Sequence, residues 1–199
     1  MPIIYSNVTS APAVEPVTLV EAKLHLRVDH TTDDDLIDIL RKAAREIVEL
    51  HTNRSLITQT RVIKLDNFPY FDTIKLTYGP VSSLTSITYD DSDDVNQTLS
   101  SGDYWTDFTS GIARVVVKNS WPTTYDKPNA VQITYVAGYG AAGSNIPQAL
   151  KQAMLLILGH LYENRQQVIV SGSPTGALEI PFGASVLMNT YVLEQSVVY

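Results

Sequence analysis

Two stretches with helical periodicity, 17–55 and 146–165, bracket a long stretch, 56–137, that alternates with period two. That switch of period constrains the fold most. A 3.6-residue stripe needs another helix or a sheet to cover it, and a period-two stretch needs a sheet with one buried face. The expected class is α+β: a helical bundle with a small antiparallel β domain inserted between the second and third long helices. A C-terminal short helix and a tail follow. The expected organisation is an N-terminal arm over 1–16, a helical core over 17–55 and 146–165, a β insertion over 56–145, and a partner-docking tail over 166–199.

The spacing predicts a first helix from Thr18, where Thr18 and Glu21 form a capping box, to about Arg27–Val28. A second helix is expected after Thr32, whose partner at capping spacing is Asp35, with Asp33, Asp34 and Asp35 against the positive end of the helix dipole. Its apolar stripe is Leu36, Ile37, Leu40, Ala44, Ile47 and Val48. The third helix opens at Pro147. Ala149, Leu150, Ala153, Met154, Ile157 and Leu161 form its inner stripe, and Leu155, Leu156 and Leu158 carry the apolar surface round most of its circumference. A helix apolar on nearly all sides needs several neighbours.

Strands are expected at Thr60–Leu65, Thr73–Tyr78, Leu84–Tyr89, Tyr104–Phe108, Ala113–Lys118 and Val131–Tyr135, with turns at Gly79-Pro80, Asp90–Asp94, Ser101-Gly102 and Ser110-Gly111. Such spacing fits a small sandwich or barrel. Beyond Gln166 a loop is expected at Ser171–Gly176 and a short helix over Ala184–Tyr191. The last residues are apolar, and Glu179 and Glu194 are the only charges after 165. An apolar chain end of this kind calls for a docking site.

The chain has 199 residues, no cysteine and a net charge of −7, from 14 basic and 21 acidic residues. Without cysteine there is no disulfide framework, thiolate zinc site or cysteine nucleophile. The acidic balance argues against gripping nucleic acid through its phosphates. No run is long and apolar enough for a membrane span, and the first residues lack the basic-then-apolar pattern of a secretory leader.

Gly138-Tyr139-Gly140-Ala141-Ala142-Gly143 matches the dinucleotide pattern G-x-G-x-x-G. The helix at Pro147 starts too late to aim at that loop, and Glu163 lies inside a helix. A strand-to-helix turn is the expected reading. Asp90, Asp91, Asp93 and Asp94 lack the glycine and glutamate of a calcium loop. His25, His30, His51 and His160 have no i, i+4 pairing. Tyr104, Trp105, Trp121 and Tyr125 offer either a ligand platform or a core cap. No catalytic residue, metal site or cofactor is expected. The alternative class is a ligand-binding protein or enzyme using the glycine turn or these aromatics.

The combined pattern resembles the bacteriophage head–tail connector (adaptor) proteins of the gp6-like and gp8-like type. The matching stretches begin with Thr18-Leu19-Val20-Glu21-Ala22-Lys23, His25-Leu26-Arg27-Val28-Asp29, Asp34-Asp35-Leu36-Ile37 and Ala43-Ala44-Arg45-Glu46. They continue through Thr52-Asn53-Arg54-Ser55-Leu56-Ile57-Thr58-Gln59-Thr60, Leu65-Asp66-Asn67-Phe68-Pro69, Gly79-Pro80-Val81 and Trp121-Pro122. Tyr135-Val136-Ala137-Gly138-Tyr139-Gly140, Ile146-Pro147, Leu161-Tyr162-Glu163-Asn164-Arg165 and Ile180-Pro181-Phe182-Gly183 complete the ordered set. One departure is Asn189-Thr190-Tyr191-Val192, where the family often has Pro-Tyr-Arg.

The resemblance implies a structural protein of the virion neck, made in the host bacterial cytoplasm. It implies a homo-oligomeric ring, usually twelvefold, under the portal, that passes DNA without sequence-specific binding and carries the next neck or tail protein. A stopper or tail-completion role is the nearest alternative. The expected subunit interface is Leu155, Leu156, Leu158, Tyr162 and Arg45. The expected portal-docking residues are Phe182, Leu187, Tyr191, Leu193, Val197, Val198 and Tyr199.

Overall fold

The computed structural model describes residues 5–164 and 180–193. Among these, the chain forms two compact units. One takes 5–13, 53–139 and Leu193; the other takes 14–52 and the described part of 140–192.

The first unit is all β. Strands β1 (Tyr5–Ser10), β2 (Gln59–Leu65), β4 (Val81–Asp90), β5 (Asn96–Thr98) and β8 (Val131–Ala137) make an antiparallel sheet ordered β1-β2-β8-β4-β5. Strands β3 (Thr73–Lys75), β6 (Tyr104–Asp107) and β7 (Arg114–Val117) make a second, ordered β3-β7-β6. The alternation read in the sequence is the burial pattern observed. In β8, Val131, Ile133, Tyr135 and Ala137 are buried, while Gln132, Thr134 and Val136 are half-buried. Ile63, Ile87 and Ile133 from the larger sheet share a core with Ile74 and Val115 from the smaller one. Each such isoleucine contributes about 1.5–3 kcal/mol on burial.

Two strands have no counterpart in the sequence reading. Tyr5–Ser10, expected as part of an N-terminal arm over 1–16, is an edge strand, paired with β2. Asn96–Thr98 is the opposite edge, fully exposed. Both are edges, and neither Ser6–Ser10 nor Asn96–Thr98 holds a buried residue, so no periodic apolar signal marks them. Strand β3 stops earlier than expected because Tyr78 adopts a left-handed conformation (φ 57°) that breaks the extended run.

The second unit is helical: α1 (Leu19–Leu26), α2 (Asp34–Thr52), α3 (Gln148–Glu163) and α4 (Phe182–Asn189). The α1 capping box is present. The Glu21 amide donates to Thr18 Oγ1 at 3.1 Å, and the Thr18 amide donates to Glu21 Oε2 at 2.7 Å. Arg27 ends the helix in a left-handed turn. The expected Thr32 cap is displaced by one residue. The first helical residue is Asp34, and the Ile37 amide donates to the Asp33 carbonyl at 2.9 Å.

Helix α2 buries Ile37, Ala44 and Val48 and packs on α3, which buries Leu150, Ala153, Met154, Ile157 and Leu158. Helix α4 follows Pro181 directly, two residues before the expected start, and packs on α3 through buried Ala184 and Met188. No helix among the described residues is long and apolar enough to cross a membrane.

Candidate assembly surfaces

The glycine turn is a packing device. Gly138 sits at φ 138°, and a Cβ there would lie 2.5 Å from the Ile57 carbonyl carbon and the Thr58 nitrogen. A Cβ on Gly143 would lie 2.3 Å from the Pro16 carbonyl oxygen. Three of the turn's amides are committed internally: Gly138 to the Pro80 carbonyl at 2.8 Å, Tyr139 to the Leu56 carbonyl at 3.2 Å, and Ala142 to Asn145 Oδ1 at 3.2 Å. A pyrophosphate needs such amides free and converging.

The acidic hairpin between β4 and β5 also closes on itself. Asp91 Oδ1 accepts from the Asp93 and Val95 amides at 3.0 and 3.1 Å. Asp90 takes Asn96 Nδ2 at 2.9 Å and Lys127 Nζ at 3.0 Å, and these hold its carboxyl below the usual range. No group of His, Cys, Asp or Glu among the described residues is placed to hold a metal. His51 Nε2 meets Asn189 Oδ1 at 3.0 Å, and His160 lies beside Asn164.

The aromatics divide. Trp121 stacks on buried Phe68 at 4.8 Å and donates from Nε1 to the Phe71 carbonyl at 2.8 Å, so it caps the core. Trp105 is exposed, with Lys118 Nζ 5.6 Å from its ring centre.

A groove of about 420 Å³ in the helical unit is lined by Val14–Pro16, Thr18, Glu21, Ala141–Ser144, Gln148 and Lys151. Its charged groups are paired: Glu15 with Arg45 at 2.9 Å, Glu21 with Lys151 at 2.7 Å. The Lys151 hydrogen bond, helped by the Thr18 amide, holds the Glu21 carboxyl at about 2, against an ordinary 4.5. The depressed value means that this pair stabilises the fold fully above pH 4.5 and fades as pH falls through about 2. Glu21→Gln should flatten that pH dependence of the urea midpoint. The change should stay below about 1 kcal/mol, since the carboxylate is partly exposed. An unchanged slope in the variant would assign the pH dependence to other groups.

The expected interface residues do not form one surface. Leu155 and Leu156 are half-buried on α3. Leu158 is only 1% exposed and is core, so it drops out as a surface for a second copy. Arg45 drops out too: Glu15 Oε2 and Glu49 Oε2 each hold it at 2.9 Å, and it is buried. The half-buried Tyr162 hydroxyl donates to Asp33 Oδ2 at 2.5 Å, tying α3 to the start of α2.

Of the expected docking residues, Phe182 is 84% exposed at the first turn of α4, and Leu187 is half-buried. The half-buried Tyr191 donates its amide to the Met188 carbonyl at 2.8 Å. Half-buried Leu193 accepts at its carbonyl from Asn53 Nδ2 at 3.0 Å. Val197, Val198 and Tyr199 lie outside the described residues, as do the Ser171–Gly176 loop and the rest of the tail from 194.

The sequence reading missed four strongly exposed apolar positions on the first two helices: Val20 and Leu24 on α1, and Ile39 and Leu50 on α2. The signal was present, since Ile39 and Leu50 lie off the inner stripe of α2.

The profile of the head completion protein family matches residues 17–175. No curated protein matches the chain. Among solved structures, the fold is similar to a chain in the neck of an empty gene transfer agent (GTA) particle computed with C6 symmetry. The TM-score is 0.78, with 22% identity and 97% of each chain covered. A chain in the virion of the native GTA particle matches at TM-score 0.78 and 22% identity, over 96% of this chain and 97% of that one. A chain in the neck of the native particle computed with C12 symmetry matches at TM-score 0.77 and 21% identity, over 97% of each. The match of the family profile across most of the length, over α1, α2, strands β2 to β8 and α3, carries the assignment: the chain belongs to the head completion protein family.

Proposed function

We propose that this chain is a structural connector of the virion neck in a tailed phage or phage-like particle. It forms a ring at the head–tail junction, extends the DNA channel below the portal and carries the next neck or tail component. The observation that carries this is the family match, supported by fold likeness to chains of a neck computed with C6 and C12 symmetry. The helices form the assembly core, and the β unit is an insertion within it. On this reading its role is structural rather than chemical. A net charge of −7 suits a channel that must release the DNA passing through it.

The portal contact is assigned to α4 and the chain beyond it. Ile180–Leu193 carries no charge, and α4 exposes Phe182 and Val186 on the face opposite its packed side. Phe182→Ser should leave the unfolding midpoint within about 0.5 kcal/mol of wild type, because the ring is exposed. It should cut incorporation into particles severalfold. Normal incorporation would place the portal contact elsewhere.

The test of the function itself is quantitative mass spectrometry of purified particles, scaling this chain to the portal subunit. A ratio near one is expected. Absence of the chain from particles would overturn the connector reading.

A further inference from the structure

Helix α2 is apolar round about half its circumference, and its own unit buries only part of that. Beside the buried line of Ile37, Ala44 and Val48 runs a second band: Leu36, Ile39, Ala43, Ile47 and Leu50. Ile39 is 63% exposed and Leu50 70%, and the other three are half-buried. At 3.6 residues per turn these five share one side of the helix.

The place of α1 is fixed by two contacts. Lys23 Nζ meets Asp34 Oδ1 at 2.6 Å, and the Arg41 guanidinium donates to the Val17 carbonyl at 2.9 Å. Asp34 and Arg41 are seven residues apart and lie on one line along α2. The uncovered band lies roughly 180° round the helix from that line. On α1, Val20 and Leu24 are one turn apart and 76% and 80% exposed. They lie on the side of α1 opposite its buried residue, Ala22. The α1–α2 pair therefore carries two different uncovered apolar faces, pointing away from each other.

Two unlike faces on opposite sides are what a head-to-tail contact requires. A surface that meets itself closes a dimer, whereas two distinct patches propagate and close a ring when the rotation allows. The rims are complementary in charge. Exposed Arg27 stands at the end of the α1 face, while exposed Asp35 and Glu46 border the α2 band. Opposite charges at a rim fix register and reject wrong pairings.

We propose that the α2 band is covered by the Val20–Leu24 face of a second copy of this chain, and that this contact repeats head to tail. The inference rests on the ring reading above and names the surfaces that make it.

The absence of native cysteine gives a direct test. Particles are produced with Leu24→Cys and Ile39→Cys in the same chain and treated with a short bis-maleimide. Both positions are exposed, and the purified variant should keep the wild-type urea midpoint. The expected result on a denaturing gel is a ladder of dimer, trimer and higher species, with most of the monomer band lost. Each single variant should stay monomeric. Three results would overturn the proposal: a double variant that enters particles but stays monomeric there and in a Val20→Cys, Leu50→Cys pairing; a dimer from Leu24→Cys alone, which would mean this face meets itself; or cross-linking only to a different protein. Absence of the wild-type chain from particles overturns the connector reading as well, and is seen before any variant is made.

Discussion

Arg45→Ala is expected to lower the unfolding free energy by about 3–5 kcal/mol, the usual cost of removing one member of a buried ion-pair set. For a chain of this length that is a fall in Tm of about 6–20 °C. Burial alone would push the Arg45 guanidinium down, but the facing Glu49 and Glu15 carboxylates outweigh it and hold the cation more tightly than in water. Removing the cation leaves two carboxylates close together and poorly hydrated. They ionise only against each other's repulsion, so the loss should be greatest near neutral pH and smaller in acid, where protonation relieves them. Adding Glu15→Gln and Glu49→Gln to Arg45→Ala should recover part of the loss. Thermal unfolding across pH checks this. A Tm within two or three degrees of wild type would show that water, not Arg45, solvates those carboxylates.

Gly138→Ala is the second large effect, and its cause is steric. The residue must hold φ 138° while a new Cβ meets Ile57 and Thr58 backbone atoms at 2.5 Å. Neither neighbour is the far end of a flexible side chain. The left-handed conformation costs about 1–3 kcal/mol, and the forced shift costs a similar amount, so the expected loss is about 2–6 kcal/mol. Gly111, at which a Cβ would meet nothing within 4 Å, is the control: Gly111→Ala should be nearly neutral. Urea unfolding of the two variants side by side would settle the contrast. Equal midpoints would mean that the Ile57–Thr58 backbone yields easily.

The elements with a buried face were readable in the sequence. Five of the six expected strands, all but β6, carry residues that are buried away from water, and the Thr18–Glu21 box is present because both partners act locally. What was not readable has no such face. Strands β1 and β5 are polar edges held by their neighbours' backbones. The start of α2 at Asp34 also includes a contact no local pattern encodes: Tyr162, far along the chain, donates to Asp33. The same distinction runs through the assembly surfaces. An apolar residue on a helix advertises burial without saying whether its own chain or another supplies it. Leu158, expected at a partner surface, is 1% exposed and lies in the core of its own chain. Ile39 and Leu50 escaped the inner stripe and are the residues left uncovered.

The separation of α2 from α3 along the chain bears on how the protein is made. The buried line Ile37, Ala44 and Val48 is synthesised long before the helix that covers it, because the whole β unit from β2 to β8 is translated in between. Strands β2, β4 and β8 are all translated before the first residue of α3. During that interval an apolar helix stands open in the nascent chain, the kind of surface that draws chaperones or aggregates. Slowing translation between Val131 and Gln148 would lengthen the exposure, and a chain stopped before Gln148 would leave it permanent.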